Sequence, residues 1–480
     1  MMKTQCWSKI LLLIIGLSLG LGPWAYAGNN LPNLGDPSQA KLPQSKEAEI
    51  GKKFMQLIRS SGKVIDDPID NAYLEGIGDK LTKAADTQGY HFHFFWVNDG
   101  SINAFAGPGG YIGVNAGLIM ATSNESELAS VMAHEIAHVT QGHLARKIEN
   151  AKKVRLASLA GMLAAVAIGT QSGEAAGGAL AATMAGGQQS MLNFSRVNER
   201  EADRVGMETL FNSNFTPSAM PQFFSRLQEQ ERYYGSFPEL LSSHPLTDDR
   251  VADAENRIAQ YPKRHATSSQ EYYLIRERLR VQTAKYPKEA VNYYKKSLQN
   301  HEYQNKLSME YGYGLALIRN RQYTKANQVL EQIAKQQPEQ LTLQLAYADS
   351  FAEMHQFTKA NDILAKLHND HPDNYAVSCQ YAATLLKAKQ AKRAVSILQR
   401  HQLKYPDDPT PYGLLSRALG QAGQQALAYQ TRAQYYVENG SPRLAIDQLK
   451  IALQQPHLDP YNKARIQARL DELKTNLKNA

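Results

Sequence analysis

Two histidines four residues apart, His134 and His138, stand in the run VMAHEIAHVTQGH, with Glu135 directly after the first. On an α-helix, residues i and i+4 share a face one turn apart, so both imidazoles can reach one divalent ion at about 2.0–2.1 Å. Glu135 then points about 100° away around the axis, beside the ion without ligating it, where a carboxylate can take a proton from water that the ion has acidified. The spacing alone leaves a second reading open, a buried helix that happens to carry imidazoles, and a third ligand decides between them. The metzincin pattern would want Gly at 141 and His at 144, but the chain has Gln141 and Leu144. His143 sits one residue early and reads as a structural histidine. A better source is NEREADRVG, Asn198 to Gly206. Glu199 and Asp203 are four apart on one helical face, as a ligand and a carboxylate bonded to a ligating histidine would need. Glu201 points to the opposite side and reads as a solvated charge.

The surrounding sequence supplies the elements that must position these groups. Residues 46–61 and 68–85 have amphipathic helical spacing, and HFHFFWVN, His91 to Asn98, has the aromatic-rich composition of a strand. INAFAGPGGYIGVNAGLI reads as a hairpin turning at Pro108-Gly109-Gly110, and Glu125 to Glu149 as one long helix capped at Asn124 or Ser126. This is a small α+β unit with the two histidines on a helix just after a sheet edge. Between the two motifs, residues 154–192 are rich in Ala and Gly, with Glu174 the one charge between Leu156 and Met191. Two short helices there would form a lid or membrane-facing flap, or else a buried pair.

The C-terminal half repeats. Ala326, Ala360 and Ala394 are 34 apart, as are Leu330, Leu364 and Leu398, and Pro338, Pro372 and Pro406. That is the tetratricopeptide period, in which a small residue lets two antiparallel helices approach and a proline ends each pair. Tyr323 and Phe357 hold an aromatic position that Ala391 abandons. A further copy around Ala445 and Leu449 falls 51 residues after Ala394, half a repeat out of phase. The expectation is an irregular all-α solenoid over residues 268–480, holding a partner in its groove or serving only to cap the preceding domain.

Compartment follows from the other end. Met1 to Lys9 carries two lysines and no acid, Ile10 to Leu21 is almost unbroken apolar sequence, and Ala25-Tyr26-Ala27 has the small-x-small form of a signal-peptidase site. Residues 1–27 read as a cleaved secretory signal; survival of that segment would instead give a signal-anchored membrane protein. Cys6 lies inside the signal and leaves Cys379 alone, which excludes an internal disulfide or a thiolate zinc site. Removing Lys3 and Lys9 lowers the formal charge from +8 to +6, too mild and unclustered for a nucleic-acid partner and compatible with peripheral contact with an anionic outer membrane.

HEIAH followed about 60 residues later by EREAD resembles the zinc metallopeptidases related to HtpX and the CAAX prenyl protease, whose pattern is HExxH then ExxxD. With a signal peptide before it and tetratricopeptide repeats behind it, the arrangement is similar to the periplasmic protease and chaperone branch of that family, which serves outer-membrane biogenesis. The resemblance implies that His134, His138 and Glu199 hold one zinc ion, that Glu135 is the general base, and that Asp203 orients a ligand. SINAFAGPGGYIGV is similar to the family's edge strand, on which an extended substrate would pair near Ala104 and Phe105. SSHPLTDDR resembles a His-Pro segment close to the metal, where His244 would donate to the oxyanion or occupy the open coordination position, and Arg250 would help the transition state or an ion pair. The implied fold is α+β, a mainly helical metalloprotease domain over residues 28–267 before the solenoid. The implied function is a periplasmic endopeptidase acting on misfolded or stalled outer-membrane proteins and meeting their assembly machinery through the repeats. The competing class is a chaperone or assembly scaffold whose protease site is latent.

Overall fold

The computed structural model describes residues 42–150, 196–234, 238–264, 267–404, 409–456 and 458–478. The segment expected to be a signal, 1–27, and the Ala/Gly-rich segment over 154–192 lie outside the described residues. Helix α1 (Gln44–Ser60) leads through the short strand β1 (Val64–Ile65) to α2 (Pro68–Ala84). Asp67 caps α2, accepting from the Ile69 amide, and Pro68 takes the first helical position, where its missing N–H costs nothing. Strand β2 (His93–Val97) follows, then β3 (Ala104–Ala106), one turn of 3-10 helix at Pro108–Gly110 and β4 (Tyr111–Asn115).

The four strands lie in the order β1-β2-β4-β3. Strands β3 and β4 form the antiparallel hairpin that the sequence suggests, with Phe105 opposite Gly113, while β2 and β4 run parallel. Gly113 leaves room for the Phe105 ring, whose carbon atoms would come within 2.3 Å of an added Cβ. β3 is therefore an edge strand with one side of its backbone unpaired in the sheet.

Helices α3 (Ala116–Ala121) and α4 (Glu125–Thr140) come next. Every residue of α4 is buried, in keeping with a sequence that is small or apolar on all sides apart from its functional groups. Asn124 caps it through the Glu127 amide. The helix expected to continue to Glu149 ends at Thr140 instead. Gly142 adopts a left-handed backbone with φ of 64°, and a second helix, α5 (His143–Asn150), starts in a new direction. Helix α6 (Arg196–Asn212) crosses α4, and α7 (Ala219–Tyr234), α8 (Glu239–Ser243) and α9 (Asp248–Ile258) complete the unit.

From α10 (Gln270–Thr283) onward the described chain is twelve helices in antiparallel pairs. Ala326, Ala360, Ala394, Leu330, Leu364 and Leu398 are all fully buried between helices. The turn inside successive pairs repeats too: Arg321, His355, Lys389 and Gly423, again 34 apart, all take positive φ. The half-repeat slip has a simple origin, since Ala394 lies on the second helix of its pair (Ala391–Lys404) and Ala445 on the first helix of another (Pro442–Leu453). The solenoid curls around the N-terminal unit. Arg278 of α10 pairs with Asp67 and Asp70 of α2, Tyr272 hydrogen-bonds Thr122, and Gln56 of α1 donates to the Val437 carbonyl. Ser269, the cap of α10, also donates to Glu125 in the first turn of α4, so the repeats grip the N-terminal end of the helix that carries His134.

Candidate metal centre

The i, i+4 spacing on α4 places the Nε2 atoms of His134 and His138 3.0 Å apart. Helix α6 brings Glu199 up to both, 3.4 Å from His134 Nε2 and 3.6 Å from His138 Nε2. That approach depends on Gly206, where an added Cβ would stand 3.1 Å from the His134 backbone nitrogen. His244, at the C-terminal end of α8, directs Nδ1 into the same space, 3.2 Å from Glu199 and 3.4 Å from His134 Nε2. All four side chains are buried, and their donor atoms lie within 4.8 Å of one another.

These separations can be tested against a metal. Four ligands at about 2.0–2.1 Å around a tetrahedral ion sit about 3.3–3.4 Å from one another. The observed separations of 3.0, 3.4 and 3.6 Å bracket that value. Burying three nitrogen donors and a carboxylate face to face is costly unless a cation stands among them. The donor set thus fits a metal ion, with three residues from α4 and α6 and a fourth from His244.

Around the donors the polar groups are paired in layers. His134 Nδ1 lies 3.0 Å from Asp203, and Arg250 grips Asp203 with two hydrogen bonds of 2.8 Å. A further guanidinium nitrogen of Arg250 sits 3.0 Å from Glu199, and the same nitrogen donates to the Pro245 carbonyl at 2.9 Å. Arg250 is buried, with its charge directed at carboxylates behind the donors. Burial opposes ionisation of Asp203, but Arg250 and His134 overcome it and hold the carboxyl below its usual range. Burial likewise works against the His134 imidazolium, yet hydrogen bonds with Asp203 and Glu199 outweigh it and hold the pKa up at about 10. His138 is driven the other way, by burial and by the positive charge of His134.

Glu135 lies outside the donor set, with His244 Nε2 3.5 Å away. Burial pushes its carboxyl upward, opposed by the neighbouring imidazoles and by the Ala106 backbone amide of β3. The edge strand thus reaches the carboxylate through Ala106. Ala104 is buried and Phe105 packs against Phe54 and Phe95, so these two contribute backbone and core to that edge and stand apart from the donors.

The sequence reading missed three residues of the site. His143 is fully buried and its Nδ1 lies 2.6 Å from His138 Nδ1. Its Nε2 is 3.1 Å from Glu201, which in turn accepts from Arg146 at 2.7 Å. The hydrogen bond from His143, against partial burial and with help from Arg146, holds the Glu201 carboxyl down at about 2. Glu201 does point away from Glu199, but α5 covers that face of α6, so the side chain is engaged instead of solvated. A signal was available in the Gly142-His143 pair, which marks a helix end as readily as it fails the metzincin spacing.

Comparison with known proteins accords with this geometry. Residues 68–258 match peptidase family M48 and residues 351–418 match a tetratricopeptide repeat. The chain is 38% identical over 310 residues to the putative beta-barrel assembly-enhancing protease of Vibrio cholerae, covering 64% of this chain and 64% of that protein. It is 38% identical over 268 residues to the beta-barrel assembly-enhancing protease of Escherichia coli, covering 55% of each. It is also similar, at 30% identity over 172 residues, to the mitochondrial metalloendopeptidase OMA1 of Schizosaccharomyces pombe, covering 36% of this chain and 48% of that protein. The matched region spans just under two thirds of the first relative's length and less of the others. Every buried donor described above falls inside residues 68–258, the segment that matches peptidase family M48, and the segment that matches a tetratricopeptide repeat lies in the solenoid behind it.

Proposed function

We propose that this chain is a zinc-dependent endopeptidase of the periplasm, exported by residues 1–27, that cuts misfolded or stalled outer-membrane proteins and meets them or their assembly machinery through the solenoid. The observation that carries the proposal is the buried donor set of His134, His138 and Glu199 at tetrahedral spacing with Glu135 beside it. The relatives named beta-barrel assembly-enhancing proteases support the choice of substrate. In this reading His134, His138 and Glu199 hold zinc, which when bound acidifies water and polarises the scissile carbonyl.

The remaining work falls to the chain's own residues. Glu135 takes the proton of the attacking water on its carboxylate and delivers it to the leaving amine; its burial raises its basicity for that task. Asp203, clamped by Arg250, holds the Nδ1 proton of His134, which fixes the tautomer that leaves Nε2 free to ligate. Ala104 and Phe105 lie on the free edge of the sheet, where an extended substrate adds as a further strand through main-chain hydrogen bonds. Residues 28–267 form the protease unit in this proposal and 268–480 the client-binding unit.

A specific observation favours a restrained enzyme. His244 Nδ1 shares the donor set and its Nε2 faces Glu135, so its side chain must leave before water and a scissile carbonyl can take that position. Cleavage of casein by the zinc-loaded mature chain tests both parts. The His244→Ala variant should cut faster than the parent, and adding Glu135→Gln should remove the activity by about 10²- to 10⁴-fold with zinc still bound. A His244→Ala, Glu135→Gln double variant that cuts as fast as His244→Ala refutes the mechanism. A zinc-loaded single variant that never cuts makes the chaperone reading the better one.

A further inference from the structure

His134 has an outer support, Asp203 held by Arg250, and the same question applies to His138. For His138 to ligate through Nε2, its ring proton must sit on Nδ1. His143 Nδ1, 2.6 Å away, is placed to accept that proton. Accepting there forces the proton of neutral His143 onto Nε2, which points at the Glu201 carboxylate 3.1 Å away. Glu201 is anchored in turn by Arg146 at 2.7 Å. Each donor and acceptor in the chain from His138 to Arg146 is thereby assigned without a conflict.

We infer that His143 is the positioning residue for His138, setting its tautomer and ring orientation through a relay that ends on the Glu201–Arg146 pair. The inference rests on the metal-centre reading above. Both ligating imidazoles then rest on a carboxylate–arginine pair built on α6, His134 directly on Asp203 with Arg250 of α9 and His138 through His143 on Glu201 with Arg146 of α5. The break at Gly142 makes this possible. On a continuous helix His143 would lie about 140° around the axis from His138. With Gly142 at φ of 64° the chain turns and returns the His143 ring to the side of α4 that carries His138, at 4.7 Å between ring centroids.

The test is zinc affinity of the full mature chain, measured by competition with a chromogenic chelator, together with the visible spectrum of the Co(II)-loaded protein. Removing such an outer partner costs 10- to 100-fold in metal affinity. His143→Ala is expected to lose that much and to shift the Co(II) bands. His143→Asn places an amide oxygen close to the position of imidazole Nδ1 and is expected to recover most of the loss. A purely structural role predicts the opposite pattern, with both variants lowering the melting temperature of the metal-free protein and neither changing the affinity of the folded fraction. Affinity and spectrum unchanged in His143→Ala, or an equal loss in the Ala and Asn variants, overturns the inference. If His143→Ala does not fold, Glu201→Gln decides: its partly exposed side chain can change without unfolding the chain, and weaker zinc binding with an unchanged melting temperature supports the relay, while parental affinity overturns it. A parent chain that binds no zinc fails the metal-centre reading itself and takes this inference with it.

Discussion

Gly206→Ala is a one-carbon change whose effect can be worked from the contacts. The new methyl carbon would lie 3.1 Å from the His134 nitrogen, 3.2 Å from the Ala133 carbonyl carbon and 3.3 Å from its oxygen. All three are backbone atoms of α4, so no rotamer change relieves the clash. Comfortable contacts are about 3.5–4.0 Å, which requires α6 to move back by about 0.4–0.9 Å. Overpacking of this kind costs about 1–3 kcal/mol, and the better helix propensity of alanine returns about 1 kcal/mol. The net loss of stability is therefore modest, about 0–2 kcal/mol. The site is more sensitive, because Glu199 and Asp203 ride on the displaced helix. Disturbing the groups that orient a metal's ligands costs about 10- to 100-fold in metal affinity, and a shift this small falls at the low end of that range. Chelator competition should show zinc affinity falling about tenfold while the metal-free melting temperature falls by only a few degrees. A variant that binds zinc as tightly as its parent would refute the claim that close packing at Gly206 sets the position of Glu199.

Two further expectations concern the frame. Arg278→Met keeps the aliphatic stem but leaves fully buried Asp70, together with Asp67, without the guanidinium that pairs with both. Breaking a buried pair on one side costs about 3–5 kcal/mol, so calorimetry should show a markedly lower transition and proteolysis should reach residues 259–269 sooner; an unchanged transition would sink the idea that this pair fastens the solenoid to α2. Glu47 accepts from the Tyr90 hydroxyl at 2.8 Å and the Gly109 amide at 3.1 Å, yet burial raises its pKa above 4.5. A carboxyl that holds its proton more tightly when folded makes stability fall as pH rises from the unfolded value through the raised one. Glu47→Gln should flatten that slope in melting temperatures taken from pH 4.5 upward, and a slope identical to the parent's would contradict the assignment.

What the sequence displays most plainly is what a single element repeats. The 34-residue register of Ala326, Ala360 and Ala394 is visible because every pair of helices solves the same packing problem with the same small residue. The four-residue spacings of His134 with His138 and Glu199 with Asp203 are visible because a helix turns once in 3.6 residues, and the structure brings the two faces together. Arg250 is harder, since nothing in TDDR says that its charge meets a carboxylate 47 residues earlier; only the packing of α9 against α6 does that. The Ala445 copy looked out of phase for a similar reason, because a pattern of Ala and Leu does not tell the first helix of a pair from the second.

His143 and Glu201 mark the point where periodicity misleads. Extending α4 to Glu149 puts His143 on the wrong face, and a wheel drawn for α6 puts Glu201 in water. Both deductions are sound for isolated helices, and both fail because of one backbone angle. Gly142 at φ of 64° ends α4, redirects α5 across the outer face of α6, and so buries His143 against His138 with Glu201 beyond it. A side chain other than glycine would resist that conformation by about 1–2 kcal/mol, a cost borne by the helix break on which the His138 support depends. The residue that does most to build the second imidazole's surroundings is thus one with no side chain, and its signature in the sequence is an interruption of a pattern.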